Sequence, residues 1–145
     1  MFQEDIFMEY KFEKLIPHND EPDGIKLKIL SDIFSVCQVA SLDDINIDGD
    51  YMFVLKTEGE ISLLCKTVRV PKNHLKCEDG WKVLKIDGVF DFTVYGVLAK
   101  ILELLAYAKT PVLVMSAYDT DYILIKEDKL DSSIKLLQNN GYEVE

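Results

Sequence analysis

Three short groups of side chains in this sequence could do chemistry. Tyr118-Asp119-Thr120-Asp121-Tyr122 sets two carboxylates between two tyrosines inside an apolar run. In an extended strand, Asp119 and Asp121 would share one face, whereas a tight turn would separate them. The pair therefore reads as a solvated hairpin tip, as a carboxylate that receives an amine, or as an acid–base pair, in falling order of expectation. Asp91 to Gly96, DFTVYG, opens a strongly periodic helical segment. Free amides at a helix start favour a carboxylate, and a glycine there lets a backbone or a small ligand come close. Close packing of the helix start against a strand is the competing reading. His74-x-x-Cys77 has a usable metal-ligand spacing, but it is one pair only, and Cys65 would have to arrive from another segment. No metal site is expected.

Other chemistries find less to work with. Ser116, Cys37 and Cys65 lie in strand-like segments with neither an elbow of glycines nor an acid–histidine partner beside them. Neither G-x-G-x-x-G nor the G-x-x-x-x-G-K-[ST] phosphate loop occurs. A noncatalytic protein without a cofactor is the expectation.

The elements that must position these groups follow from hydrophobic periodicity. IFSVCQVA reads as a strand, and YMFVLKT and EISLLCKT read as a hairpin turning at Glu58-Gly59. SLDDINIDGD has room for one helical turn capped by Ser41 or Asp43, and VRVPKNHLKCEDG reads as a loop or brief helix. GWKVLKIDG is a strand. Asp91 to Lys109 then carries Val94, Val97, Leu98, Ile101, Leu102, Leu105 and Ala108 at helical spacing, capped by Asp91 or Thr93 and stopped by Pro111. VLVMSAY and DYILIKE are strands around Asp119-Thr120, a helix is expected from about Lys129 to Asn140 with Gly141 ending it, and YEVE closes as a strand. Strand, helix, strand, strand, helix, strand is a split ferredoxin-like order. The first half reads as a copy of that plan with shortened helices. The fold expected is thus α+β, in two units over 25–80 and 81–145, interlocked through a shared sheet near Trp81 to Ile86.

Composition narrows the partners. With 145 residues, 48% of them hydrophobic, the chain can bury a substantial core. Twenty-six acidic residues against sixteen basic ones give a net charge of −10, and Arg69 is the sole arginine, so nucleic acid and anionic membranes would meet a repelling surface. The three cysteines, Cys37, Cys65 and Cys77, have no framework spacing and are expected to be reduced. Glu4, Asp5 and Glu9 stand where a secretory signal needs basic and then apolar residues, and no apolar run approaches the roughly 20 residues of a membrane span. A cytoplasmic location is expected. The exposed strand edges also make a homodimer an expectation.

Asp91-Phe92-Thr93-Val94-Tyr95-Gly96-Val97-Leu98 and Ser116-Ala117-Tyr118-Asp119-Thr120-Asp121-Tyr122, at their observed separation, resemble the motifs of a family of small tandem ACT-domain proteins. The resemblance extends to the first half through FSVCQV, the YMFVLKTEGEISLLCKT hairpin and Val70-Pro71, and it leaves residues 1–24 outside. It implies a regulatory fold that binds a small amino acid where ACT units meet, commonly as a dimer. It further implies a ligand-binding set of Asp91, Phe92, Thr93, Val94 and Gly96 at the helix start, with Ser116, Tyr118 and Asp119 as a nearby wall. The alternative is a homodimerisation or protein-interaction module without a small ligand.

Overall fold

The computed structural model describes residues 25–88 and 96–145. Eight strands make one sheet system: β1 (Lys26–Ile29), β2 (Phe34–Val39), β3 (Phe53–Lys56), β4 (Ile61–Lys66), β5 (Lys76–Asp87), β6 (Val112–Ser116), β7 (Asp121–Lys126) and β8 (Glu143–Val144). Two helices, α1 (Val97–Tyr107) and α2 (Glu127–Asn139), belong to the second half. Among its described residues, the first half has single 3-10 turns, at Leu42–Asp44 and Thr67–Arg69. Ser41 caps the former, its hydroxyl accepting from the Asp43 amide at 3.1 Å.

The long strand β5 organises the rest. Along one edge it pairs antiparallel with β2 through Lys76–Trp81 and then with β1 through Leu84–Asp87. The stretch between β1 and β2 leaves the ladder and is held by Lys82, whose ammonium donates to the carbonyls of Ser31 and Asp32 at 2.8 and 3.1 Å. On its other edge β5 pairs with β7, and β7 with β6. The outer strands follow as β3–β4–β2 on one side, while β8 lies parallel to β1.

Alternation along β5 and β7 assigns two cores. Leu84, Ile86, Ile123 and Ile125 face a cluster that includes Val97, Ile101 and Leu105 of α1 and Leu137 of α2. Trp81, Val83 and Leu124 face the opposite way, against Leu30, Phe34, Leu64 and the partly buried Phe53 of the first half. Strands covered on both faces have no need of polar alternation, which is why YILI is apolar throughout. The Lys126 ammonium lies 4.7 Å from the Trp81 ring centroid, at the seam between the halves.

Both helices end in the same way. The Tyr142 amide reaches the Leu137 carbonyl and the Gly141 amide that of Gln138, each at 3.1 Å, with Gly141 at φ 93°. The Thr110 amide reaches Leu105 and the Lys109 amide reaches Ala106, each at 2.9 Å, but here the left-handed residue is Lys109, at φ 55°. This is the Schellman arrangement, and Gly141 suits it where Lys109 does not.

Two elements differ from the sequence expectation. Lys76–Gly80, expected in a loop, forms the first part of β5, because register with β2 outweighs the polar composition. β1, which lies before the first strand expected from the sequence, is a separate strand. The described part of α1 begins at Val97, with Gly96 before it at φ 85°. Residues 91–95 lie outside the described residues.

Candidate functional site

Strand directions determine what can meet. β5 and β6 are each antiparallel to β7 and therefore parallel to each other, so α1, which connects them, runs back against both. The start of α1, the end of β5 and the β6–β7 turn consequently share one end of the second half. Gly96 marks the first of these, and Ser116, Tyr118 and Asp119 belong to the last. The other expected ligand residues, Asp91, Phe92, Thr93 and Val94, lie outside the described residues.

The β6–β7 turn is a tight hairpin connection. The Ala117 amide donates to the Thr120 carbonyl at 2.8 Å, and Ser116 pairs with Asp121 in the ladder. The Ser116 hydroxyl donates to the Asp121 carboxylate at 2.5 Å. Asp119 and Tyr118 are exposed at the tip, Tyr118 by 81%. Asp121 is thus engaged by its own hairpin, whereas Asp119 is presented outward. At the helix start, the first bond inside α1 runs from the Lys100 amide to the Gly96 carbonyl at 3.1 Å. The amides of Val97, Leu98 and Ala99 precede it, and Gly96 has no side chain with which to cap them.

A cavity of about 460 Å³ opens beside this turn, lined by Asp50, Tyr51, Met52, Phe53, Ala117 and Tyr122. Tyr122 stands edge-on to Tyr51 and Phe53, with ring centroids 6.2 and 5.3 Å away. Burial pushes the Tyr122 hydroxyl above its ordinary pKa, with the neighbouring Tyr51 and Asp87 adding to the shift. Tyr51 has φ 56°, a left-handed conformation uncommon outside glycine and asparagine. Sequence reasoning missed this wall: Asp50 reads as the end of a polar loop and Tyr51 to Phe53 as the start of a hairpin strand, and no local pattern announces that they meet a hairpin of the other half.

Among the described residues, no group of three His, Cys, Asp or Glu side chains could hold a metal ion. His74 Nδ1 instead lies 2.7 Å from the Pro71 carbonyl. Nor is any described helix long and apolar enough to cross a membrane.

The mixed sheet and its two helices define an α+β fold of the ferredoxin-like kind. Residues 76–139, from the start of β5 to the end of α2, match the model of the ACT-domain family. ACT domains are regulatory modules, not catalytic ones. Among solved structures, protein Atu0741 from Agobacterium tumefaciens is similar at 26% identity and a TM-score of 0.75, over 83% of this chain and 92% of that one. VC0802 from Vibrio cholerae, a protein of unknown function, gives 13% and 0.63 over 79% and 88%. The regulatory subunit of aspartate kinase from Thermus thermophilus, in ligand-free form, gives 9% and 0.56 over 78% and 95%. The last two likenesses concern the fold alone. No curated protein matches the chain.

Proposed function

We propose that this chain is a noncatalytic regulatory protein that binds a small amino acid where ACT units meet. The observation that carries the reading is the match of residues 76–139 to the ACT-domain family, with the start of α1 at the same end as the Ser116–Asp121 hairpin. An amino acid presents a carboxylate and an ammonium. The carboxylate would take the amides following Gly96, and Asp91 or Asp119 would accept the ammonium through charge-assisted hydrogen bonds. Phe92, Thr93 and Val94 complete the first wall, with Ser116 and Tyr118 on the second. The division into an ACT-like unit at 25–80 and an ACT domain at 81–145, joined along β5, belongs to the same proposal. It makes the aromatic cavity between Asp50–Phe53 and Tyr122 an inter-unit feature.

Thermal denaturation in the presence of each common amino acid tests the reading. A ligand at 100 times its Kd stabilises the folded state by about 2.7 kcal/mol. One amino acid should raise Tm in a saturable manner, and Asp119→Ala should weaken that response while leaving the unliganded Tm near that of the parent. A flat response across the set counts against it.

A second reading is favoured by the sheet edges. Val54 and Leu55 of β3 are 42% and 62% exposed, and Leu113 and Val114 of β6 are each 37% exposed. Such edges suit pairing with a second copy. Solution mass separates the readings: a monomer at all concentrations removes the homodimer.

A further inference from the structure

Cys37 and Cys77 stand directly opposite each other in the antiparallel ladder between β2 and β5. Opposed residues share a sheet face, with Cβ atoms about 4.5–5.5 Å apart. That lies close to the separation of about 3.5–4.5 Å that a disulfide spans. The two sulfurs are already in contact at 2.6 Å, and both residues are free thiols. We propose that Cys37 and Cys77 are a reversible oxidation site, closing to a disulfide when the protein meets hydrogen peroxide.

Exposure divides the roles. Cys37 is 2% exposed, whereas Cys77 is only partly covered and can be reached from solvent. The Cys77 thiolate attacks the peroxide, forming a sulfur–oxygen bond as the oxygen–oxygen bond breaks and the departing oxygen leaves as water after protonation. The Cys37 sulfur then attacks the sulfenic sulfur of Cys77. The sulfur–sulfur bond forms, the sulfur–oxygen bond breaks, and the leaving hydroxide takes the Cys37 proton. Two thiols lose two electrons, and the peroxide is reduced to two waters.

The surroundings make the pair slow at neutral pH. Burial raises the Cys77 thiol pKa, as does the Asp79 carboxylate, whose Oδ1 lies 3.4 Å from its sulfur. Asp79 is itself held by the Ser35 hydroxyl at 2.6 Å, with the Lys126 ammonium nearby. Cys65, on β4, is opposite Ser35 rather than Cys37. Burial pushes its thiol up to about 11, with Cys77 adding to this and Arg69 opposing it. Cys65 is therefore the thiol that stays reduced. The bridge would enclose residues 37–77 and hold the β3–β4 hairpin in a covalent loop.

The intact chain, treated with hydrogen peroxide and alkylated after denaturation, reads out the proposal. Free thiols should fall from the three of the sequence to one, with a peptide joining Cys37 to Cys77, and a dithiol reductant should restore all three. The reaction should accelerate with rising pH. Cys65→Ser should oxidise like the parent, while Cys37→Ser should accumulate a dimedone-reactive sulfenic acid on Cys77. Three thiols surviving oxidation, a bridge through Cys65, or Cys77 passing to sulfinic acid in the parent chain would each overturn it.

Discussion

Leu124→Ala measures how firmly the two halves are joined. Leu124 is fully buried, in the middle of β7 on the face that meets Phe34, Leu64 and Trp81. Truncation removes three carbons, about 2.4 kcal/mol of transfer free energy at ~0.8 per CH2. An unrelaxed cavity of roughly 40 Å³ adds about 1 kcal/mol at ~24 cal/mol per Å³. The expected loss of about 3–3.5 kcal/mol lowers a urea midpoint by roughly 1.5 M for an m-value near 2 kcal/mol/M. Trp81, the only tryptophan, sits in the same core and reports on it by fluorescence, while far-UV circular dichroism reports on the whole chain. The two signals should move together in the parent and in the variant, as one cooperative transition. Leu55→Ala, at a side chain 62% exposed, is the control and should cost under about 0.5 kcal/mol. A loss below about 1 kcal/mol at Leu124, or a fluorescence midpoint well separated from the dichroism midpoint, would refute the shared core.

Gly96→Ala should cost about 1–2 kcal/mol in denaturant melts, because φ 85° strains any L side chain while a Cβ there meets nothing within 4 Å. Lys109→Gly should raise stability by up to about 1 kcal/mol, since the lysine holds the left-handed position of a Schellman cap; a decrease would contradict that assignment. Hydrogen bonds from Ser35 and Cys77 hold the Asp79 carboxyl below its usual range. Its contribution is therefore present above the unfolded value of about 3.9 and is lost as pH falls through the lower folded value. The stability gap between the parent and Asp79→Asn should narrow in acid melts below about pH 4. Oxidation of Cys37 and Cys77 should raise the unfolding free energy by about 4 kcal/mol through loop closure, and by nothing in Cys77→Ser.

Elements governed by local periodicity and capping were legible in the sequence. The β3–β4 hairpin, the Ser41 turn, the body of α1 with its Val97, Ile101 and Leu105 stripe, and the Gly141 stop of α2 all follow from spacing within a few residues. What depends on a distant partner was not. Lys76–Gly80 carries turn-like residues and becomes strand only because β2 lies beside it, and β1 owes its identity to β5 and β8. The same holds near the site. The β6–β7 turn announces itself through Asp119-Thr120, but the wall it shares with Asp50 to Phe53 joins segments remote in sequence. The Cys37–Cys77 contact is likewise a product of register, and cysteine spacing alone pointed only to reduced thiols.

Calorimetric titration of the folded chain with each common amino acid bears most directly on the proposed function. The account predicts one saturable isotherm, weakened by Asp119→Ala while the unfolding transition keeps its cooperativity. Heats of dilution alone for every amino acid, from protein with that transition intact, would contradict it.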